Sequence, residues 1–395
     1  MGSRSLKAAW PAAAALAAIV LAQAARADIP AKALAPIPAP TLALMAARNT
    51  DAAAPILIRA FKKENELEVW KRARDGRFVL IKTYPICRWS GQLGPKVKQG
   101  DRQTPEGFYS VAPKQMNPNS AYYLSFDTGF PNAYDKARGA SGSALMVHGT
   151  CSSAGCYAMT DPQVAEIYAL ARDALAGGQK AFQFQAFPFR MTARNIARHR
   201  LDPHIEFWRQ LKEGSDRFEA TGEEPSVGVA GGRYVFAPLK DPAREALAQA
   251  RLKDEEARTA ALIADGSAAI RTTYSDGGQH PTFAALAARG ASLGQISRPE
   301  ALALAGREIT IIPARPKPPT QLADAKAASQ LAGLASASRP SGPTPAFKAD
   351  LSLFEPVPLG YGRTELAGLS ANMSGSMRIM PAVLADMSLA VPLRR

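Results

Sequence analysis

The stretch from Ile56 to Tyr84 limits the fold more than any other part of this chain. Ile56-Leu57-Ile58-Arg59-Ala60-Phe61, Glu66-Leu67-Glu68-Val69-Trp70 and Arg77-Phe78-Val79-Leu80-Ile81-Lys82-Thr83-Tyr84 keep the two-residue period of β-strands. Asp75-Gly76, just before the last of them, is a hairpin turn signal. A chain that begins its ordered part this way is predicted to build a mainly antiparallel sheet. Further strands are expected at 120–126, 143–148 and 181–187, the last as the final core strand. A helix is expected from Asp161 as N-cap and Pro162 in the first turn, with Val164, Ile167, Tyr168, Ala171 and Leu175 at helical spacing and Gly177-Gly178 as its stop. Residues 192–212 read as helical around Pro203. The expected fold class is mainly β with flanking helices.

Around this core the composition changes. Residues 1–27 read as a secretory signal peptide: Arg4 and Lys7 precede an apolar run, and Ala25-Arg26-Ala27 is a small-x-small cleavage site. The run is shorter than the ~20 residues a spanning helix needs. Export is therefore expected, with no transmembrane segment after signal removal. Residues 28–54, rich in alanine and proline, are expected to be a flexible lead-in to an ordered domain over 55–213. A short strand and helices are expected over 214–312, then a Pro/Ala-rich linker at 313–345 and a tail at 346–395 for which no structure is predicted. The C-terminal half thus reads as Ala/Pro-rich and partly disordered.

Chemistry concentrates in Met146-Val147-His148-Gly149-Thr150-Cys151-Ser152-Ser153-Ala154-Gly155-Cys156-Tyr157, in a chain with 4 histidines and 3 cysteines. A thiol nucleophile needs a base nearby and a tight turn that exposes its sulfur. Gly155 suits that turn, and amides freed there could hold a developing oxyanion. Cys156 is the candidate nucleophile and His148 the candidate base. Cys151 is expected to be a buried small residue or a disulfide partner, with Cys87 as one possible mate. No His/Asp/Glu cluster has ligand spacing, so no metal and no cofactor is expected; a zinc on Cys151, Cys156 and His148 is the remaining geometric option. His199, His204 and His280 read as surface, packing or loop residues. The formal charge of +14 favours anionic partners, yet no nucleic-acid-binding motif accompanies it and much of it is scattered arginine.

The stretch from about Ile56 to Trp208 resembles the YkuD-type L,D-transpeptidases, and within them the YafK-like branch. The resemblance rests on Tyr84-Pro85-Ile86-Cys87, Ser90-Gly91-Gln92-Leu93-Gly94-Pro95-Lys96, Gly100-Asp101-Arg102-Gln103-Thr104-Pro105-Glu106-Gly107-Phe108-Tyr109, Pro131-Asn132-Ala133-Tyr134-Asp135, His148-Gly149 and Ser153-Ala154-Gly155-Cys156-Tyr157. It implies a sandwich- or barrel-like β fold with the cysteine in a groove, and a periplasmic role on peptidoglycan stem peptides. It further implies that Cys156 forms a thioester at diaminopimelate as D-alanine leaves. An amine then takes the acyl group, giving a 3-3 crosslink or an attached outer-membrane lipoprotein. In this picture the Gly149 carbonyl orients His148, Gly155, Ser153 and Tyr157 form or support the oxyanion site, and Arg102 and Tyr134 bind substrate. Ala154 stands where most members have a second histidine, and Tyr157 follows the cysteine. The His148–Cys156 spacing is short, as in the YafK-like branch. Members of that branch are similar to enzymes that hydrolyse the diaminopimelate–lipoprotein lysine link, so a hydrolase is the second reading and a non-catalytic wall-binding protein the third.

Overall fold

The structure, a computed structural model, describes residues 29–314 except 297. The predicted signal peptide, the linker beyond its first two positions, and the tail lie outside the described residues. Among the described residues no helix is long and apolar enough to cross a membrane.

Two sheets share one core. The larger has five strands: β1 (Ile56–Phe61), β2 (Glu66–Arg72), β3 (Phe78–Pro85), β4 (Gly107–Val111) and a later strand, Phe182–Phe187, in the order β3-β2-β1-(182–187)-β4. The smaller has β5 (Met116–Asn117), β6 (Ser125–Asp127), β7 (Met146–His148) and β8 (Tyr157–Ala158) side by side. The strand Phe182–Phe187 is then β9. It pairs parallel with β1 and antiparallel with β4, so it sits inside the sheet. That position buries β1 and β9 along their whole length, as expected of strands covered on both faces. Polar members of these strands bond inside: Gln185 Nε2 donates to Gln183 Oε1 at 2.7 Å, and Arg59 Nη2 to Ser215 Oγ at 2.9 Å. Between the sheets, Phe126 meets Phe182 at 5.4 Å and Tyr157 meets Phe184 at 5.4 Å, both edge-on.

The Asp75-Gly76 hairpin and the starts of β1, β2, β3 and β9 fall within one residue of where the sequence predicts them, whereas the strand expected over 143–148 begins only at Met146. The expected strand at 120–126 shrinks to β6, because Ser120 Oγ accepts the Tyr122 amide and Tyr123 adopts φ 69°, which turns the chain. The lead-in is ordered rather than flexible. It holds α1 (Ala39–Ala47), buries Ala33, Ile37 and Met45, and is tied down by Arg172 Nη1, which donates to the carbonyls of Ala33 (2.7 Å) and Ala35 (2.9 Å). A short helix α2 (Ala133–Ala137) follows β6. The next, α3 (Asp161–Ala176), is capped by Thr160, whose amide donates to Gln163 Oε1, and not by Asp161. Asp161 Oδ1 instead accepts the Thr150 amide at 2.8 Å.

The boundary expected at 213/214 falls inside a helix. After α4 (Ala193–Arg198), α5 (Ile205–Thr221) runs straight through Gly214, where a Cβ would collide with the rings of Phe108 and Phe236. The hairpin β10 (Val227–Ala230) and β11 (Arg233–Phe236) sets Tyr234 and Phe236 on Phe108. Helix α6 (Pro242–Ala264) is locked to α5 by Lys212 Nζ, 2.8 Å from both Asp216 Oδ2 and Glu255 Oε2. Finally β12 (Ala269–Tyr274) and β13 (Arg307–Ile312) pair antiparallel, with α7 (Pro281–Ala288) between them in sequence. The extension is thus part of the same body as the sheets.

Candidate active site

The parallel register of β7 and β8 places the two reactive side chains. Val147 pairs with Tyr157 and His148 with Ala158. Val147 and Tyr157 are buried in the core; His148 ends β7, and Cys156 directly precedes β8. The Met146 amide approaches Cys156 Sγ at 3.4 Å, and the thiol lies 3.7 Å from the Ala144 carbonyl. Cys156 is partly exposed, whereas His148 is buried.

His148 Nδ1 lies 2.6 Å from the Gly149 carbonyl. A carbonyl can only accept, so Nδ1 carries the proton and Nε2 is left as the basic nitrogen. The ring is covered by Tyr122, 4.7 Å away at 36°. Burial pulls the imidazole down to about 4, opposed by the Gly149 carbonyl. Burial pushes the Cys156 thiol up to about 11; the Met146 amide and Lys96 oppose this, and Asp127 adds to it. Asp127 sits opposite Met146 on β6. At neutral pH the pair is therefore a thiol and a neutral imidazole, suited to general-base activation.

The loop between the two strands is held at four points. Thr150 and Cys151 take left-handed φ values of 60° and 43°, and Gly155 takes 132°. Asp161 holds the Thr150 amide, and Cys151 is bonded to Cys87 across a sequence separation of 64 residues. The disulfide leaves Cys151 without a thiolate, which removes the zinc option. Gly149 packs so closely on Tyr122 and Asp161 that a Cβ would meet the Tyr122 carbonyl at 2.9 Å. Ser153, itself buried, is the hub: its Oγ accepts the amides of Gly155 (3.2 Å) and Cys156 (3.1 Å) and lies 2.7 Å from the Cys156 carbonyl. The two amides expected to face an oxyanion are thus occupied by a side chain of the same loop.

The other predicted site residues divide. Tyr157 stands behind the turn, its hydroxyl donating to the Pro105 carbonyl at 2.7 Å. Tyr134 is a correction: its ring is buried between Tyr234 (4.4 Å, 9°) and Phe207 (5.2 Å, 22°), so it packs the core and presents nothing to a ligand. Arg102 is partly exposed but ion-paired with Asp276. Sequence reasoning missed Tyr122, Asp127, Lys96, Ser90 and Asp276. Nothing local in the sequence signals the partners of these residues.

The family model of the L,D-transpeptidase catalytic domain, YkuD, matches residues 56–177. YafK of Escherichia coli strain K12, provisionally named an L,D-transpeptidase, is 47% identical over 181 residues, covering 46% of this chain and 73% of the relative. The same protein of Escherichia coli O157:H7 matches equally. Among solved structures, the helical cell shape determining protein Pgp2 from Campylobacter jejuni is 14% identical, with a TM-score of 0.28 over 59% of this chain and 80% of that one. By its match to YafK, this chain belongs to the YkuD family of L,D-transpeptidases.

Proposed function

We propose that this chain is an exported, periplasmic L,D-transpeptidase that acts on peptidoglycan tetrapeptide stems through a thioester on Cys156. The observation that carries this reading is the placement of Cys156, the one thiol outside the disulfide, directly before β8 and against the Met146 amide of β7, the strand that ends in His148, whose Nδ1 is engaged by the Gly149 carbonyl so that Nε2 is the basic nitrogen. Sγ attacks the diaminopimelate carbonyl carbon while Nε2 takes the thiol proton. The tetrahedral intermediate collapses, the C–N bond to D-alanine breaks, and the imidazolium returns the proton to the leaving amine. In the second half an acceptor amine attacks the thioester carbonyl, loses a proton to His148, and Sγ leaves as thiol. A diaminopimelate amine gives a 3-3 crosslink; a lipoprotein lysine gives an attached lipoprotein. The Gly155 and Cys156 amides serve the oxyanion only when Ser153 Oγ releases them.

Water as acceptor would make the same residues a hydrolase. The short spacing from His148 to Cys156 favours this as the second reading, with the diaminopimelate–lipoprotein lysine link as its substrate. Mass spectrometry of muropeptides separates the readings. The mature protein and Cys156→Ala are incubated with disaccharide-tetrapeptides and with lipoprotein-bearing sacculi. New 3-3 dimers with D-alanine release, absent in the variant, support the transpeptidase. Released lipoprotein or tripeptides without dimers support the hydrolase. Identical profiles for both proteins would leave a wall-binding protein.

A further inference from the structure

The segment 274–280, far beyond the stretch matched by the family model, is laid along residues 86–92. Trp89 and Gly278 exchange both backbone hydrogen bonds at 3.1 Å, and the His280 amide donates to the Ile86 carbonyl at 3.1 Å. Gln92 Nε2 donates to the Tyr274 carbonyl at 2.6 Å, while its Oε1 accepts the Tyr274 amide at 2.9 Å. On its other side Arg88 exchanges backbone bonds with Ala158 of β8, at 3.0 and 2.8 Å. The backbone of the extension is therefore joined, through residues 88–89, to the strand that follows Cys156.

One side chain dominates this splice. The carboxylate of Asp276 accepts from Arg102 Nη2, accepts the Gly91 amide at 3.2 Å, and lies 3.5 Å from Arg88 Nη2. Arg88 Nη2 also donates to the Asp276 carbonyl. These contacts fix two loops that reach the nucleophile. Ser90 Oγ, bonded to the Arg102 carbonyl at 2.7 Å, stands 3.0 Å from Ser153 Oγ, the hub of the Cys156 turn. Thr104 Oγ1 accepts the Ser90 amide at 3.1 Å and donates to the Cys156 carbonyl at 3.2 Å. Ser90, Thr104 and Ser153 are all buried, so water cannot substitute for a displaced member.

We propose that Asp276, supplied by the C-terminal extension, is a positioning residue for Cys156: it holds Arg102, Arg88 and Gly91 so that Ser90, Thr104 and Ser153 shape the nucleophile's turn. The proposal rests on the reading of Cys156 as nucleophile and adds that the catalytic turn is incomplete without the extension. Loss of the carboxylate loosens the turn. Turnover then falls because the sulfur is misplaced, while the thiol, less buried, returns toward its ordinary acidity and reacts faster with small reagents. A residue that only stabilised the fold would change neither quantity in the folded protein.

The test compares the full chain with Asp276→Ala, Asp276→Asn and Asp276→Glu in two assays. One is D-alanine release from tetrapeptides, read as kcat and KM. The other is the pH profile of Cys156 alkylation by iodoacetamide. For Asp276→Ala, kcat is expected to fall about tenfold or more with KM within about twofold, as for a reacting group displaced by a fraction of an ångström. Alkylation at pH 7 is expected to rise roughly threefold or more as the thiol pKa drops. Asp276→Glu, which keeps the charge, should restore much of the turnover. Should the alanine variant fail to fold, Asp276→Asn, which retains an acceptor for the Gly91 amide but loses the ion pairs, is judged by the same readouts. Unchanged kcat and an unchanged alkylation profile, even with a lower melting temperature, would overturn the proposal. If the wild type releases no D-alanine, the transpeptidase reading fails, and the alkylation arm alone decides on Asp276.

Discussion

The electrostatics of the candidate pair make a quantitative prediction about Cys156. Burial pushes its thiol up to about 11 and holds His148 down at about 4. At pH 7 such a thiol is about one part in ten thousand thiolate, against about three parts in a hundred for an ordinary cysteine near 8.5. The deficit is about 300-fold. A more basic thiolate is intrinsically more nucleophilic, and a Brønsted coefficient near ~0.45 over ~2.5 units returns about 13-fold. Cys156 should therefore react with iodoacetamide roughly twentyfold more slowly than free cysteine at pH 7, given equal access. The rate should climb with unit slope toward about pH 11. His148→Ala should leave alkylation nearly unchanged, because the imidazole is already neutral, yet lower acyl transfer by about a hundredfold or more as the general base is lost. The assay is stopped-time alkylation followed by intact mass from pH 5 to pH 11. A rate at pH 7 above that of free cysteine, with a plateau from about pH 6 that collapses in His148→Ala, would refute this reasoning and establish a thiolate–imidazolium pair.

Three further predictions concern the frame that holds the pair. Lys62 and Glu106 form a fully buried ion pair at 2.9 Å, and Glu106 also accepts from the Gly94 amide and Trp208 Nε1; Lys62→Met leaves that carboxylate without its cation and should cost about 3–5 kcal/mol in urea unfolding. The Cys87–Cys151 bond closes a 64-residue separation, so replacing both cysteines by serine should lower stability by about 4 kcal/mol in the chain-entropy view, measured as a shift of the denaturant midpoint. His148 and His199 are both pulled from 6.5 to about 4 by burial. The unfolded chain then binds protons between pH 6.5 and 4 that the folded one does not, so each contributes stability that is lost as pH falls through that window, up to about 3 kcal/mol. The difference between wild type and His199→Phe in urea midpoints at pH 7 and pH 4.5 should show a flatter dependence in the variant.

What the sequence made readable was what its local pattern encodes. The strands β1 to β3, the turn at Asp75-Gly76 and the period of α3 depend on side chains a few places apart. What stayed hidden depends on partners distant in the chain. Tyr134 lies in a Pro- and Asn-containing segment that reads as a loop, yet its ring is stacked by Tyr234 from β11. Alanine-rich residues 28–54 look unanchored until Arg172 and Glu166 of α3 are placed beside them. Asp276 belongs to no motif of the sequence, and only the laying of 274–280 on 86–92 gives it three partners. The expectation of free amides at Gly155 and Cys156 failed for a nearer reason: Ser153, three residues before the cysteine, is short enough to turn back and take both.

The central claim is that Cys156 carries the acyl group of a stem peptide. Intact-protein mass spectrometry with peptide mapping, after brief incubation with disaccharide-tetrapeptide and rapid acid quench, tests it directly. The account predicts an adduct equal to the substrate less D-alanine, confined to the peptide that contains Cys156, labile to hydroxylamine and absent from Cys156→Ala. An adduct that persists in Cys156→Ala or maps to another residue, or D-alanine release that survives the substitution, would contradict it.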